Sequence, residues 1–366
     1  MRPFPVLTVA LLVLGGCAAP RPSNRPPPHP DAVRALTAKL LPPGIGDRAG
    51  WAADMAAAFA ALRLDPVPGN LCAAIAVTGQ ESGFVADPVV PGLGRIARTE
   101  VERRAAAHHV PRLAVSAALK LKSPDGRSWG ERIDRARTER ELSAIYEELI
   151  ARVPLGRRLF AGANPVRTGG PMQVSIAFAE AHADAYPYPR AGSVREEVFT
   201  RRGGLYFGIA HLLDYPATYT RMIYRFADYN AGWYASRNAA FQNAVSRASG
   251  IPLQADGDLV AASGTGPTEV AVRALQPGFS ERRIRRLLED GVRPGFEDGP
   301  LWQAVFERAD TVAGAPLPRA AIPEIRLQGP KISRPLTTAW FAGRVDTRYR
   351  QCLARAPAAA TGSGAG

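Results

Sequence analysis

Two alanine-rich apolar segments in close succession constrain the fold of this 366-residue chain more than any other feature. Residues 50–64 (GWAADMAAAFAALRL) and 71–80 consist mostly of residues with high helix propensity, and a DPVPG turn at 65–69 separates them. Asp47 is a plausible N-cap for the first helix and Asn70 for the second. Helical patterns continue along the chain, with little strand pattern and no internal repeat. The sequence therefore predicts a mainly α fold.

The order of these patterns suggests one main helical domain with two additions. We expect the main domain to span residues 32–254 and a C-terminal extension with a disordered tail to span 255–366. A stretch at about 85–168 lacks the clean order of its flanks and predicts an insertion with two helices, near 98–109 and 130–151. Five further helices are predicted, at 203–213, 219–229, 280–290, 301–310 and 338–353.

The first 17 residues have the layout of a lipoprotein signal peptide. A positive start precedes an apolar stretch at 5–14, and Leu14-Gly15-Gly16-Cys17 resembles the lipobox whose cysteine receives diacylglycerol. A transmembrane anchor is the competing interpretation, but the stretch is short for one. Residues 18–31 are Pro-rich and predict a semi-extended tether. Since Ala18 rather than Asp follows the cysteine, we expect an outer-membrane lipoprotein that faces the periplasm, if the organism is Gram-negative.

The charge and the cysteines agree with export. A net charge of +13 makes nucleic acid conceivable as a partner, but an exported protein meets acidic wall peptides and anionic lipids instead, so we expect no nucleic acid. With Cys17 lipidated, Cys72 and Cys352 remain, either as a disulfide or as two unpaired buried thiols. A disulfide would clamp the last helix to the helix that follows the DPVPG turn.

Three separated motifs carry the chemistry that the sequence suggests. QESGF at 80–84 puts Glu81 at the end of an apolar helix, where the helix dipole and partial desolvation disfavour a charged carboxylate. A glycosidase needs a carboxyl that is still protonated near neutrality, so that it can protonate the leaving oxygen. GPMQV at 170–174 and YNAG at 229–232 follow. Each motif alone is typical of an ordinary helix end or loop, so their order carries the argument.

In this order the motifs resemble those of the soluble lytic transglycosylases, a branch of the lysozyme-like superfamily close to the goose-type lysozymes. The similarity extends over roughly residues 50–87 and 168–245. The whole architecture, with its lipobox and C-terminal extension, also looks like a family of bacterial lipoproteins catalogued only as a domain of unknown function. The resemblance implies a lysozyme-like helical domain at 32–254 that cuts the glycan strands of peptidoglycan.

The resemblance assigns the chemistry to Glu81, as general acid and then base. Ser82 would orient the carboxyl or the sugar, and Tyr229 would hydrogen-bond Glu81 and fix its rotamer. In this mechanism Glu81 protonates the oxygen between MurNAc and GlcNAc, and the substrate's own acetamido group stabilises the developing cation. The carboxylate then takes the proton of the muramyl 6-hydroxyl, which closes a 1,6-anhydro ring.

The other matched residues line the groove. Met172 and Gln173 would lie beside the scissile bond, with Gln173 hydrogen-bonded to the substrate, and Asn230 would support the cleft. The family places its Gly-x-Met-Gln motif about two dozen residues after its Glu, whereas 92 residues separate Glu81 from Gln173 here. Both ends of the insertion must therefore emerge at the cleft, where it either walls the groove or points away from it.

Two other functions stay open at this point. A hydrolytic muramidase needs a second carboxylate at a defined separation, for which Asp87 and Asp228 are available. A scaffold lipoprotein would hold glycan without cutting it, but it needs neither the acid nor the orienting hydroxyl. We expect no metal and no cofactor, because the pair His108-His109 has no Cys or His partner at ligand spacing. The sequence predicts peptidoglycan and, through the lipid, a membrane as partners, and no particular protein.

Overall fold

A computed structural model describes residues 29–107, 109–152, 164–190, 192–327 and 334–357 of the protein. The fold is mainly α, which confirms the predicted class. The lipobox with Cys17, most of the tether, His108 and the C-terminal tail from 358 lie outside the described residues. Among the helices that are described, none combines the length and the apolar character needed to cross a bilayer.

Sixteen α-helices occupy the described residues. The first seven are α1 (Pro30–Leu40), α2 (Arg48–Ala61), α3 (Pro68–Glu81), α4 (Leu93–Ala107), α5 (Arg112–Lys120), α6 (Trp129–Arg135) and α7 (Glu139–Arg152). The next four are α8 (Ile176–Ala181), α9 (Val194–Val198), α10 (Arg201–Leu213) and α11 (Met222–Ala231). The last five are α12 (Ala235–Ser249), α13 (Pro267–Ala274), α14 (Glu281–Glu289), α15 (Pro300–Ala313) and α16 (Thr338–Leu353). Two antiparallel pairs join β1 (Thr168–Gly169) to β2 (Val174–Ser175) and β3 (Arg326–Leu327) to β4 (Leu336–Thr337).

Two local predictions were wrong. Helix α3 begins at Pro68, because proline fits the first helical position, and the Asn70 side chain donates to the Asp65 carbonyl instead of capping a helix. The helix predicted at 130–151 is two helices, α6 and α7. The hydroxyl of Thr138 accepts the N–H of Glu141 at 3.2 Å and starts the second of them.

The larger hydrophobic core is built around α3. Residues Leu71 to Thr78 of this helix are all buried, which explains why its sequence is apolar on every face. Helix α16 packs against both α3 and α11, and α10 packs against α2. A disulfide between Cys72 and Cys352, with Cα atoms 5.5 Å apart, joins α3 to α16. The last helix of the extension therefore belongs to the same core as the helix that carries Glu81.

A second core follows in the chain. It begins in α12, where Phe241 stacks on Trp302 of α15 and meets Phe296 edge-on. Buried residues of α13 and α14 complete it. Because α12 contributes to this core while α11 contributes to the first, the short link at 232–234 connects the two.

Candidate functional site

Glu81 is the last residue of α3 and is half-buried. The negative end of the helix dipole therefore lies at this residue. The next residue, Ser82, donates its hydroxyl to the Thr78 carbonyl at 3.1 Å. That contact holds Ser82 against the end of the helix, so its single proton is committed to the backbone rather than to the Glu81 carboxyl.

A strained turn follows the candidate acid. Gly83 and Phe84 both have left-handed backbone angles, with φ of 60° and 66°. Glycine adopts this conformation without cost, whereas for phenylalanine it costs about 1 kcal/mol or more. The ring of Phe84 meets Trp51 of α2 edge-on at 5.4 Å, which holds the turn against the core.

The Gly-Pro-Met-Gln segment forms the tip of the β1–β2 hairpin and lies on α10. Gly170 has a φ of 70°, and a Cβ there would collide with the Val198 carbonyl oxygen. Met172 is fully buried, and a Cβ at Gly208 of α10 would lie 2.6 Å from its sulfur. Glycines on both sides of this contact therefore let the loop approach the helix backbone closely.

Gln173 is held by protein groups at both ends of its side-chain amide. Its Nε2 donates to the Glu139 carboxylate at 2.9 Å, and its Oε1 accepts from the Thr168 hydroxyl at 3.2 Å. The expected hydrogen bond to substrate would have to displace one of these partners. Glu139 is only 7% exposed and starts α7 of the insertion. Sequence reasoning missed it, because an acidic residue in the first turn is common to many helices.

Tyr229 links the three motifs. Its hydroxyl donates to the Met172 carbonyl at 2.7 Å, across 57 residues of sequence. Burial raises the pKa of Tyr229 well above its usual value, and the negative charge of Glu81 raises it further. The tyrosine therefore contacts the Met-Gln loop and lies within electrostatic range of the candidate acid. The expected hydrogen bond between Tyr229 and Glu81 stays a prediction. Because the phenol proton goes to Met172, the phenol oxygen would accept this bond from the protonated carboxyl.

Asn230 points in a different direction from its neighbour. It is exposed, and its Oδ1 accepts from the Thr338 hydroxyl at 2.8 Å. Thr338 is the first residue of α16. Asn230 therefore ties the end of α11 to the last helix.

Asp228 is a structural carboxylate. It is completely buried, and burial raises its pKa. Its two oxygens accept from four donors: the hydroxyls of Tyr215 and Tyr219 and the N–H groups of Tyr234 and Ser236. With both oxygens engaged in pinning the start of α12, this residue has no position open for a substrate or a catalytic water.

Asp87 is engaged at the start of α7. It accepts from the Thr138 hydroxyl and the Arg140 N–H, while partial burial raises its pKa. Val89 forms a β-bridge with Thr138 beside it. One end of the insertion is thus bound to the segment that precedes Glu139. The Glu139 carboxylate itself contacts Gln173. The root of the insertion therefore lies at the Met-Gln loop.

A cluster of aromatic rings, called the aromatic wall below, packs against Tyr229. His211 packs against Tyr229 at 4.9 Å, and Trp233 lies nearly parallel to His211 and donates to its carbonyl. His182 stacks on Phe178 at 4.0 Å, and both rings meet Trp233 edge-on. Burial, and to a lesser extent the charge of His182, lowers the pKa of His211 to about 4, so its ring is neutral at physiological pH. The sequence offers one hint of this wall, the Trp next to the Tyr-Asn-Ala-Gly motif.

Comparisons with known proteins identify a family, but they do not identify an activity. A family model described as "Protein of unknown function (DUF1615)" matches residues 44–355. The chain is 52% identical over 351 residues to the uncharacterized protein YaiW of Escherichia coli (strain K12), covering 94% of this chain and 96% of that protein. No solved structure matches the chain.

Proposed function

Because the chain belongs to the DUF1615 family, whose function is unknown, its activity must be inferred from the site, and we propose that it is a peptidoglycan lytic transglycosylase. One observation carries this proposal: three motifs that are far apart in sequence converge. The Tyr229 hydroxyl binds the Met172 carbonyl, and its phenol lies within range of the Glu81 charge. A buried tyrosine that binds the Met-Gln loop and lies within range of the Glu81 charge is an arrangement that acid catalysis can use.

Glu81 supplies the proton chemistry in this proposal. A half-buried carboxyl at the negative end of a helix dipole is favoured in its protonated form. The phenol oxygen of Tyr229, whose own proton goes to Met172, is an acceptor suited to that form. Glu81 thus donates its proton to the oxygen between MurNAc and GlcNAc as that bond breaks.

The second half of the reaction restores the acid. The substrate's acetamido oxygen stabilises the positive charge at the anomeric carbon. The Glu81 carboxylate then takes the proton of the muramyl 6-hydroxyl, whose oxygen bonds to the anomeric carbon and closes the 1,6-anhydro ring. No water is consumed, and the carboxyl ends protonated for the next cycle.

A hydrolytic muramidase is the second candidate, and Glu139 is the observation that favours it. This carboxylate is buried and bound to Gln173, beside the loop where the scissile bond would lie. An inverting hydrolase uses such a group to activate a water molecule on the face of the sugar opposite the acid. Its product would be a reducing sugar end rather than an anhydro ring.

The proposed location is the periplasmic face of the outer membrane. A diacylglycerol on Cys17 and a Pro-rich tether at 18–31 would hold the domain within reach of the wall. Peptidoglycan strands are the proposed partner. The net charge of +13 suits an acidic polymer.

Digestion of purified sacculi, with mass spectrometry of the released fragments, tests the proposal. Wild-type protein should release 1,6-anhydro muropeptides, and Glu81→Gln should release none, because it keeps the size of the side chain but removes the transferable proton. The matched control is Glu307→Gln, which makes the same change on an exposed face of α15. Release that survives in Glu81→Gln contradicts the assignment.

The products also separate the other functions. Reducing ends that disappear in Glu139→Gln identify a muramidase instead. Tight binding of wild-type protein to sacculi without any fragment release identifies a scaffold.

A further inference from the structure

An open pocket of about 520 Å³ lies at the root of the insertion. One wall is the loop and first turn of α4, residues 89–95, and the other is the end of α6 and the link at 134–137. The Val90 N–H donates to the Arg137 carbonyl at 2.9 Å, which joins the two walls. The link continues directly into Glu139, the residue that binds Gln173 at the candidate site.

The pocket is lined by three arginines. Arg95, Arg135 and Arg137 are exposed side chains of its two walls. Within the part of the chain that the structure describes, the guanidinium groups of Arg95 and Arg137 make no ion pair. Arg135 lies near Glu131, whose pKa is lowered mainly by hydrogen bonds from Ser128 and slightly by Arg135. The guanidinium groups of Arg95 and Arg137 therefore face the pocket without an ion-pair partner among the described residues, although the Glu141 carboxylate accepts the Arg137 backbone N–H at 2.7 Å. Arg135 interacts with Glu131 only through its charge.

The single acid in the lining is already neutralised. Asp134 accepts two hydrogen bonds from the Arg98 guanidinium, at 2.5 and 2.6 Å. These bonds lower the pKa of Asp134, so it stays ionised and paired. The lining therefore keeps a net positive charge from the three other arginines.

The backbone at the start of α4 adds N–H donors, while the last carbonyls of α6 lie on the other wall, with the Asp134 carbonyl oxygen 2.6 Å from a Cβ placed at Gly94. Helix α4 has 15 residues, and its positive dipole end opens into the pocket. Among the described residues, no acceptor is paired with the N–H of Gly94 or Arg95. Arg95 also folds back toward Gly92, where a Cβ would lie 3.2 Å from its Nη2. A guanidinium and helix-end N–H groups together suit the two oxygens of a carboxylate.

We propose that this pocket binds the carboxylates of the stem peptide that a muramyl residue carries, while the glycan lies along the Glu81 cleft. This proposal rests on the proposed function. The apolar part of the lining, Val89, Val90 and Pro91, favours a peptide with aliphatic side chains over a bare phosphate. Because the pocket adjoins the Glu139–Gln173 contact, peptide and sugar can be held at the same time. The insertion thereby selects strands that still carry their peptides.

Binding measured by calorimetry tests this assignment. All proteins carry Glu81→Gln so that the ligand stays intact, and the ligands are a disaccharide-tetrapeptide, the peptide-free disaccharide, inorganic phosphate, and vesicles of phosphatidylethanolamine and phosphatidylglycerol. The pocket variant is Arg95→Gln with Arg137→Gln. The matched control, Arg282→Gln with Arg286→Gln, removes the same charge from exposed residues of α14.

The pocket variant should bind the disaccharide-tetrapeptide about tenfold or more weakly than the control variant, because two charge-assisted contacts are lost. Both should bind the peptide-free disaccharide equally. Equal affinity of both variants for the disaccharide-tetrapeptide contradicts the peptide-binding assignment of the pocket, even if wild-type protein cleaves sacculi. Arginine-dependent binding of phosphate or vesicles, without a preference for the peptide, overturns it in favour of a general anion or lipid site. If the protein prefers the peptide-bearing ligand but never cleaves sacculi, the peptide-binding assignment of the pocket is supported and the proposed enzymatic function is contradicted.

Discussion

Replacing Tyr229 with phenylalanine removes a single hydroxyl from the centre of the candidate site. That hydroxyl donates to the carbonyl of Met172, a residue with no solvent exposure. Leaving a buried acceptor unpaired costs about 1–3 kcal/mol. The ring remains, so the packing against His211 is kept. We expect the free energy of unfolding to fall by this amount in a protein that still folds.

The effect on activity should exceed the effect on stability. Without the hydroxyl, the Met-Gln loop loses its link to α11, and Glu81 loses the phenol oxygen that the proposed function makes the acceptor of its proton. Poor alignment of the acid and the Met-Gln loop should slow the release of anhydro fragments about ten- to a hundredfold, which corresponds to roughly 1.4–2.7 kcal/mol of barrier.

Tyr206→Phe is the matched control. Its hydroxyl also donates to a backbone carbonyl, that of Ala185, at the same 2.7 Å and in the same core. Ala185 is exposed, so water can partly replace the lost donor and the stability loss should be at the lower end of the range. Urea unfolding and fragment release from sacculi are measured on both variants. If Tyr229→Phe cleaves as fast as Tyr206→Phe, the hydroxyl has no part in the reaction and the argument from convergence is refuted.

Three further outcomes follow from the other features. The disulfide closes a loop of 280 residues, so the double variant Cys72→Ala with Cys352→Ala should lower the free energy of unfolding by up to about 5 kcal/mol. Two reactive thiols at these positions in denatured, non-reduced protein would contradict the disulfide. Folding lowers the pKa of His211 from 6.5 to about 4, so the folded protein favours the neutral ring. Because the unfolded chain takes up a proton first as the pH falls, the stability that this residue contributes is lost between about pH 6.5 and pH 4. The free energy of unfolding, measured with urea, should therefore drop over this window by up to about 3 kcal/mol more in wild-type protein than in His211→Gln, and the same pH dependence in both proteins would reject this. Labelled fatty acid should enter the wild type and not Cys17→Ser, whereas recovery of all wild-type protein in the soluble periplasmic fraction would rule out the anchor.

Local sequence patterns predicted most of the helices because their causes are local. The last helix has the predicted bounds, Thr338–Leu353, since its start, where the Thr337 hydroxyl accepts the N–H of Trp340, depends on neighbouring residues alone. The cap at Asp47 is also as expected, with its carboxylate accepting the Gly50 N–H. The two errors, at Pro68 and at the break before Thr138, arose where two local starting signals competed within a few residues.

The order of the motifs in the sequence also named the residues on which the candidate site is centred, but not their contacts. The chain alone suggested a hydroxyl from Tyr229 near Glu81, and the structure adds that its proton goes to Met172. Gln173 was expected to hydrogen-bond the substrate, and the structure adds that its amide donates to Glu139. A motif identifies residue types at fixed spacings. The partner of each donor is instead the carbonyl or carboxylate that the packing of the chain brings within about 3 Å of it.

Only the tertiary structure decided which distant elements meet. It packed α16 against α3, placed His211 beside Tyr229, and brought Arg95 of α4 and Arg137 together around one pocket. Each of these contacts joins segments that are well separated in sequence, and no short-range periodicity encodes them. The sequence fixes which face of each helix is apolar, but many arrangements bury the same faces. Close packing of all side chains at once selects one of them, and with it the neighbours of every polar group that those faces carry.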